Sequence, residues 1–273
     1  MITVLVDNEA GKGLTPEHGL SLWVEAEGKR ILFDTGQGNA LVENARQLGV
    51  PLHKTDILIL SHGHYDHTGG VADVLSIAPG VRLLFHPKAV TPRYSLHPGK
   101  PTREIGMPQS VRSAIDRMPE NRITWAVQPV RLNARMGVTG PIPRETSFED
   151  VGGPFFRDPN GARRDAITDD QALWIDSEEG LIVCVGCCHA GLINTLNYVR
   201  RVSGNDSIWA IMGGFHLLQA NDQRIERTLD ALRSTSPGLL VPCHCTGERA
   251  VQALKETFGD QVVSCFSGMT LRF

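Results

Sequence analysis

The sequence predicts an α/β protein with two β-sheets and helices outside them. Strand hairpins come early in the chain and strands then alternate with helices, which is the order expected of such layers. The length of 273 residues is enough to bury one large α/β domain. We therefore expect a single domain over residues 1–273, with a loop-rich basic insertion at about residues 88–164.

The composition excludes several classes of protein. With 41% hydrophobic residues, 21% charged residues and a net charge of −3, the chain is neither disordered, collagenous nor a disulfide scaffold. This near-neutral balance argues against nucleic acid as the main partner. No apolar run approaches the roughly 20 residues of a membrane span, and the start, Met1–Asp7, predicts a strand rather than a signal peptide. We expect a cytoplasmic protein without a membrane partner, and the sequence leaves its oligomeric state open.

The first third of the chain predicts a hairpin followed by strand–helix alternation. Apolar runs, turn residues and helical spacing predict strands and helices in the following order. They are strands at Gly19–Ala26 and Arg30–Asp34, a helix at about Asn39–Leu48, a strand at Asp56–Leu60, a helix at Val71–Ala78 and a strand at Val81–Phe85.

The middle of the chain differs from the rest in composition and in apolar periodicity. Between Lys88 and Arg164 prolines are frequent, apolar periodicity is poor, and 13 basic residues stand against 7 acidic ones. We expect loops over a functional site, because guanidinium groups match the oxygens of an anionic substrate. A solvated surface is the alternative. The candidate substrate-binding residues are Arg93, Arg103 and Arg144, with Arg163 and Arg164 as further candidates.

After this segment a second hairpin leads into regular alternation, which favours a parallel sheet covered by helices. The predicted elements are strands at Ala172–Ile175 and Leu181–Val185, a helix at about Leu192–Val202, a strand at Ile208–Met212, a helix at Arg224–Ser234, a strand at Leu239–Pro242 and a helix at Arg249–Phe258.

One motif carries most of the chemistry, His62-x-His64-x-Asp66-His67, directly after the strand Asp56–Leu60. Two histidines one residue apart at a strand end can aim at one cation, and the Asp-His pair can hold a second one. Imidazole and carboxylate suit zinc, iron or manganese. The alternative is a polar loop whose histidines only cap the next helix, but such a loop does not need three imidazoles.

Further histidines follow the later strands. Strand ends converge on one edge of an α/β sheet, where active sites form. We expect His189 and His244 to be metal ligands, and His216 to be either a ligand or a neighbour of the ligands. His86 is a weaker candidate, and for each of these a buried structural histidine is the alternative.

Asp34 and the cysteines complete the set of candidates. Asp34 ends a strand and is expected to orient a ligand histidine, or to cap the next helix. All six cysteines lie in the last third of the chain, and in a reduced setting metal chemistry explains them better than disulfides. A four-cysteine zinc site is one alternative, although the spacing differs from zinc ribbons. The hypothesis we prefer is that one thiolate, Cys187, joins the histidine cluster.

At these residues the sequence resembles the metallo-β-lactamase superfamily. The resemblance rests on His62-x-His64-x-Asp66-His67 after a buried strand, preceded by Phe33-Asp34-Thr35-Gly36. Segments around Asp169-Asp170, Gly186–Gly191, Gly213–Leu217 and Pro242–Gly247 resemble one subgroup in particular. That subgroup contains 7,8-dihydropterin-6-methyl-4-(β-D-ribofuranosyl)aminobenzene 5′-phosphate synthases and metal-dependent hydrolases.

The resemblance implies a four-layer αββα sandwich with two divalent metal ions. Zinc is the expected ion, and manganese and iron are the alternatives. It implies His62, His64, Asp66 and His67 as ligands, together with His244, and Asp34 as a buried aspartate. One departure concerns the segment Gly186–His189, where the superfamily usually has a bridging aspartate. Either His189 acts as the third histidine without a bridging carboxylate, or Cys187 takes the bridging position.

The expected function is hydrolysis of a phosphoester or another small anionic molecule by a metal-bound hydroxide. Asp66 is the expected catalytic residue, because it would both bind metal and orient the water. Two alternatives remain open. One is transfer of a pterin-methyl group to an aminobenzene ribotide, as the subgroup suggests, and the other is a metal-dependent sensor that binds a ligand without turnover.

Overall fold

Sixteen strands and seven α-helices form the regular structure of the chain, which the computed structural model describes over all residues 1–273. The strands are β1 Ile2–Val6, β2 Ser21–Ala26, β3 Lys29–Phe33, β4 Ile57–Ile59, β5 Arg82–Phe85, β6 Tyr94–Ser95, β7 Arg103–Glu104, β8 Ile123–Trp125, β9 Val130–Arg131, β10 Met136–Val138, β11 Phe155–Phe156, β12 Ala172–Asp176, β13 Leu181–Val185, β14 Ile208–Gly214, β15 Leu239–Cys243 and β16 Thr270–Leu271. The helices are α1 Leu41–Gln47, α2 Tyr65–Thr68, α3 Val71–Ile77, α4 Gln109–Asp116, α5 Leu192–Ser203, α6 Asp222–Thr235 and α7 Glu248–Phe258.

The chain forms two compact units. Unit 1 comprises residues 1–126, 153–169 and 266–272, and unit 2 comprises residues 127–152, 170–265 and 273. The basic segment at 88–164 is thus shared between them. The single domain expected from the sequence stays a prediction.

Unit 1 is organised around a seven-stranded sheet in the order β16-β1-β2-β3-β4-β5-β8. Helices α1, α3 and α4 pack against it, with Leu41, Val74 and Val111 in one buried cluster with residues of the strands. Strands β3, β4 and β5 run parallel. Their carboxyl ends therefore lie at the same edge of the sheet, where Asp34 and His62 follow.

Unit 2 is organised around a six-stranded sheet in the order β15-β14-β13-β12-β10-β9. Helices α5, α6 and α7 pack against this sheet, and Leu196, Leu232 and Leu254 join its apolar cluster. Strands β13, β14 and β15 are parallel neighbours. Their carboxyl ends deliver the segments that contain the later histidines and cysteines to one edge.

The predicted α/β class, with two main sheets and helices packed against them, is confirmed. Nearly every predicted helix and strand is present, with bounds that differ by one or two residues. The prediction for the basic segment needs correction, because it contains α4 and the strands β8, β9 and β10, which complete both main sheets. Those strands have only two or three residues, too few to show a pattern in the sequence. No helix is long and apolar enough to cross a membrane.

Candidate metal-binding sites

The loop after β4 brings three imidazoles together in unit 1. The ring centroids of His62 and His64 lie 4.5 Å apart and those of His62 and His67 lie 4.4 Å apart. His62 Nε2 is 2.9 Å from His64 Nδ1, and all three side chains are buried. The short helix α2 begins immediately after His64 and turns the chain so that His67 returns to the cluster.

Asp34 sets the proton positions of two of these histidines. Its carboxylate accepts hydrogen bonds from His67 Nδ1 at 2.7 Å and from Ser61 Oγ at 2.6 Å. Since an ionised carboxylate only accepts, the His67 proton is on Nδ1 and its Nε2 is the basic nitrogen. Ser61 Oγ gives its proton to Asp34 and therefore accepts from His62 Nδ1, 2.9 Å away. His62 Nε2 is then the basic nitrogen of that ring.

A buried ion-pair network holds the backbone of this loop. The Gly63 amide, between His62 and His64, donates to Asp169 Oδ2 at 2.9 Å. Asp169 in turn accepts from both terminal nitrogens of Arg93, whose Nε donates to Asp165 Oδ2 at 2.8 Å. Gly63 also packs so closely on Ala89 that an added Cβ would lie 1.9 Å from the Ala89 carbonyl oxygen.

The prediction that Arg93 binds substrate is wrong. Its side chain is 1% exposed, and its guanidinium is bound to two buried carboxylates. Burial alone would lower the pKa of Arg93, but Asp169 and Asp165 outweigh it and raise that pKa. Arg93 therefore supports the loop that contains His62 and His64, because it binds Asp169, which accepts from the Gly63 amide.

Asp66, the expected catalytic residue, lies at the rim of the unit 1 cluster. Its carboxylate is 3.2 Å from Nε2 of His18, whose side chain is half exposed. Tyr65 lies next to it in sequence, and burial, followed by the charge of Asp66, raises the pKa of the Tyr65 phenol. Arg103 is exposed and its Nη2 lies 3.4 Å from the Tyr65 hydroxyl, so this predicted substrate residue does lie beside the loop.

Unit 2 brings a second group of donors to the ends of β13, β14 and β15. The rings of His189 and His216 are 4.2 Å apart between centroids. The sulfurs of Cys187 and Cys245 are 3.3 Å apart. Donor atoms of Cys187, His189 and His216 lie within 4.8 Å of one another. So do those of the set Cys187, His244 and Cys245.

Val151 and Gly152, shortly before β11, contact two imidazoles of unit 2. His189 Nδ1 lies 2.9 Å from the Val151 carbonyl oxygen, which can only accept. The His189 proton is therefore on Nδ1, and Nε2 is the basic nitrogen. Gly152, at φ +81°, packs so closely on His216 that an added Cβ would lie 1.8 Å from the ring. The next turn is held by Asp170, which accepts from the Ala190 amide at 2.6 Å.

The cysteines near this site fall into two chemical groups. Burial raises the pKa of Cys184 to about 12 and raises that of Cys188 well above its ordinary value. At Cys245, burial also acts to raise the pKa. The hydrogen bond between Cys245 Sγ and Cys187 Sγ, the charge and hydrogen bond of His216 and the charge of His244 outweigh it and lower that pKa well below the ordinary value. Cys184 and Cys188 are thus neutral core thiols, and Cys245 is the acidic one.

Several site residues have a left-handed backbone that side chains rarely adopt. Asp34, Cys188, His216 and His244 have φ values of 61°, 53°, 50° and 47°. Each such conformation costs about 1–3 kcal/mol and persists only where the surroundings hold it. Strain concentrated at strand ends is typical of a functional site.

The donor set fits a divalent metal ion of the zinc, iron and manganese class. His62, His67 and His189 each direct their proton towards an oxygen acceptor through Nδ1, so that Nε2 is the nitrogen that can bind a metal ion. Arg144 lies in unit 2, where partial desolvation of its guanidinium, opposed by the charges of Asp170 and Glu149, lowers its pKa. His86 accepts from the Lys88 amide through Nδ1, so its proton is on Nε2.

Several residues at these sites were not singled out from the sequence. Ser61 and His18 have no motif of their own, and the Val151 carbonyl contributes only backbone. Cys245 was considered only as a member of the four-cysteine alternative. Asp169 stood in a quoted motif, but its contact with Gly63 spans 106 residues, which local patterns do not reveal.

Comparisons with known proteins agree with these observations. The profile described as the Metallo-beta-lactamase superfamily matches residues 14–163. An uncharacterized protein of Methanocaldococcus jannaschii is 31% identical over 259 residues, which cover 94% of each chain. The 7,8-dihydropterin-6-methyl-4-(beta-D-ribofuranosyl)-aminobenzene-5′-phosphate synthase of the same organism is 28% identical over 267 residues, covering 94% of this chain and 90% of the relative. A solved structure described as a metal-dependent hydrolase of the beta-lactamase superfamily is 31% identical and superposes with a TM-score of 0.85, covering 100% of this chain and 98% of the other.

Proposed function

Since this chain belongs to the metallo-β-lactamase superfamily, we propose that it is a metal-dependent hydrolase of a phosphoester or another small anionic molecule. The predicted family and its fold class are confirmed. The observation that carries the proposal is the cluster of His62, His64 and His67, in which Asp34 and Ser61 give two rings the tautomer of a metal ligand.

We propose metal ligands in each unit. In unit 1 they are His62, His64, Asp66 and His67, and in unit 2 they are His189 and His244, with Cys187 and His216 beside them. We propose two divalent ions, with zinc as the first choice and manganese or iron as alternatives. Bound ions of this kind lower the pKa of water to about 7 and so supply the nucleophile at neutral pH.

The protein's own groups would position the reactants. Asp66, with His18 at 3.2 Å, would orient the attacking water and accept its proton. Arg103, exposed beside Tyr65, is the proposed anion-binding group of unit 1, and Arg144 that of unit 2. Guanidinium groups bind phosphate oxygens in a bidentate manner, which favours a phosphoester over a neutral substrate.

The test is hydrolysis of a chromogenic phosphodiester by protein reconstituted separately with zinc, manganese or iron(II). We expect turnover with at least one ion and its loss in His64→Ala. His53→Ala is the matched control, because His53 is an exposed histidine of the same unit. Bound metal without any turnover, in a protein that binds a phosphate compound through His64, would instead indicate a sensor and contradict the proposal.

A second candidate function is transfer rather than hydrolysis. The relative named as an aminobenzene-5′-phosphate synthase favours it, because the similarity covers 94% of this chain. Incubation with a pterin-methyl diphosphate, with and without an aminobenzene ribotide, separates the two. A coupled product that forms only with the amine would favour transfer, and release of the pterin alcohol in both reactions would favour hydrolysis.

A further inference from the structure

We propose that unit 2 contains a thiolate-ligated metal site formed by Cys187, Cys245 and His244, which takes a thiophilic divalent ion such as zinc, iron(II) or cobalt(II). This inference deepens the proposed function by naming the class of metal held in unit 2. It rests on the proposed function only in that His244 serves as a metal ligand there.

The distances between the donor atoms suit one ion. The two sulfurs are 3.3 Å apart, and the donor atoms of all three residues lie within 4.8 Å of one another. Two thiolates on a tetrahedral zinc ion, each at about 2.3 Å from it, are about 3.8 Å apart. A disulfide would need the sulfurs at about 2.05 Å. The observed pair therefore lies much closer to the separation of two ligands than to that of a covalent bond.

The backbone leaves space for the Cys245 sulfur at one particular residue. Gly214 ends β14, and a Cβ added to it would lie 2.5 Å from Cys245 Sγ and 2.7 Å from the Gly186 carbonyl oxygen. Any larger residue at this position would thus displace the sulfur or the turn before Cys187. The Gly214 amide donates to the same Gly186 oxygen at 3.0 Å, which holds the ends of β13 and β14 together under the two sulfurs.

The turn that contains His244 and Cys245 is built to present both side chains. His244 has a left-handed φ of 47°, so that consecutive residues leave the strand end in different directions. Thr246 Oγ1 donates to the Cys243 carbonyl oxygen at 2.7 Å and accepts from the Phe215 amide at 3.1 Å. The Leu218 amide donates to the Cys245 carbonyl oxygen at 3.3 Å. The strained turn is therefore tied to the segment that follows β14.

The other nearby cysteines are committed elsewhere, which makes the pair specific. Cys243 Sγ donates to the Val241 carbonyl oxygen at 3.2 Å, and Cys188 is hydrogen-bonded to Thr195 on α5. Cys184 is a fully buried residue of β13. Thiolate donors select zinc, iron(II) or cobalt(II) over manganese or magnesium.

The test is cobalt(II) binding by the reduced full-length protein under anaerobic conditions, followed by near-ultraviolet absorption and metal analysis. We expect a thiolate-to-cobalt charge-transfer band in the wild type. Cys187→Ala and Cys245→Ala should each lose this band and bind one equivalent less metal. Cys184→Ala is the matched control and should retain both, because its thiol lies within the strand rather than at the cluster.

The variant His64→Ala separates this inference from the proposed function. It should lose hydrolysis and yet retain the thiolate band, because His64 is not one of the three ligands of the proposed thiolate site. Cobalt bound without a charge-transfer band in the wild type, or a band that survives in Cys187→Ala and Cys245→Ala, would overturn the inference even in an active hydrolase. A band in a protein without hydrolytic activity would leave the inference standing and reject the proposed function.

Discussion

The proton on three of the candidate ligands is placed by a neighbouring group. Asp34 orients His67 directly and His62 through Ser61, and the Val151 carbonyl orients His189. Such groups fix the tautomer and raise the basicity of the nitrogen that faces the metal. At the scale of the residue, the affinity for metal is therefore expected to depend on side chains that do not bind it.

Asp34→Asn tests this dependence. The amide keeps the size of the side chain, but its NH₂ group replaces an acceptor oxygen. That group would then face His67 Nδ1 and Ser61 Oγ, which are themselves donors. We expect the metal affinity to fall about 10–100-fold. Competition with a chromophoric chelator measures the dissociation constant, and circular dichroism checks the fold. Asp73→Asn, on the exposed side of α3, is the matched control. Equal affinity in both variants would show that Asp34 does not orient the ligands.

Single residues also mark the limit of sequence reasoning. The sequence motif identified His62, His64, Asp66 and His67 as candidates because their spacing is itself the signal. The basic character of residues 88–164 led to the prediction that Arg93 binds substrate. A local pattern does not reveal that two acidic residues more than 70 positions away bind its guanidinium. The contact between Cys187 and Cys245 spans 58 residues, and the sequence suggested it only through the four-cysteine alternative.

At the scale of the element, the loop between β4 and α2 is held by close packing on its own backbone. Gly63 lies against Ala89 and donates to Asp169, so the loop has no room for a side chain at this position. The turn before α5 is held differently, because the Glu149 carboxylate accepts from the amides of Ile193 and Asn194 at 2.8 and 2.9 Å. That carboxylate caps the first turn of the helix.

Gly63→Ala tests the packing of the loop. The added methyl group would lie 1.9 Å from the Ala89 carbonyl oxygen, so the loop that contains His62 and His64 must shift. We expect a loss of stability of about 1–3 kcal/mol and a loss of most metal binding. Gly80→Ala is the control, because a methyl group there meets nothing within 4 Å. Wild-type metal binding by the folded Gly63→Ala variant would contradict this account of the loop.

Glu149→Gln tests the cap of α5 through pH. Burial raises the pKa of Glu149 above its ordinary value of 4.5, despite the amide hydrogen bonds that lower it. The folded protein therefore binds this proton more tightly than the unfolded chain does. The resulting stability is fully present below about pH 4.5 and is lost as pH rises through the raised folded value.

The expected result is a difference in unfolding free energy between wild type and Glu149→Gln that changes with pH. The wild type should gain stability relative to the variant as pH falls through this window, as measured by urea unfolding. A difference that stays constant from neutral pH down to the ordinary pKa would show that the carboxylate is not perturbed by burial.

Elements were predictable where the pattern is long. The strands β2, β13 and β14 have five to seven residues, the helices α5 to α7 have apolar residues at helical spacing, and the predicted positions of these elements are confirmed. The short strands β8, β9 and β10 gain their stability from their neighbours in the sheets, so their own residues do not indicate them. The left-handed turns at His216 and His244 were not predictable either, because neither residue is a glycine.

At the scale of the whole molecule, each unit has a buried apolar core of its own on the helix-covered face of its sheet. The α/β class followed from the order of strands and helices. The order of elements did not predict that the chain returns to unit 1 at residues 153–169 and 266–272. That return depends on pairings between distant strands, such as Ile2 with Leu271. Register between distant strands is decided by tertiary packing rather than by local pattern.

The apolar cores predict how the protein responds to removal of metal. We expect the chelated protein to retain its far-ultraviolet circular dichroism, because apolar burial stabilises each unit. Its unfolding free energy should fall by about 2.7 kcal/mol relative to protein at a metal concentration 100 times the dissociation constant. Thermal unfolding with and without chelator measures this shift. Complete unfolding of the chelated protein would show that the metal, rather than the core, determines the fold.

The most direct test of the central claim is the origin of the oxygen in the product. Metal-reconstituted protein is incubated with a phosphodiester in water enriched in oxygen-18, and the phosphate product is analysed by mass spectrometry. Metal-dependent hydrolysis predicts one solvent oxygen in each product phosphate, with His64→Ala forming none and His53→Ala forming as much as the wild type. Turnover without solvent oxygen, or equal turnover in His64→Ala, would contradict the assignment of this site as a metallohydrolase.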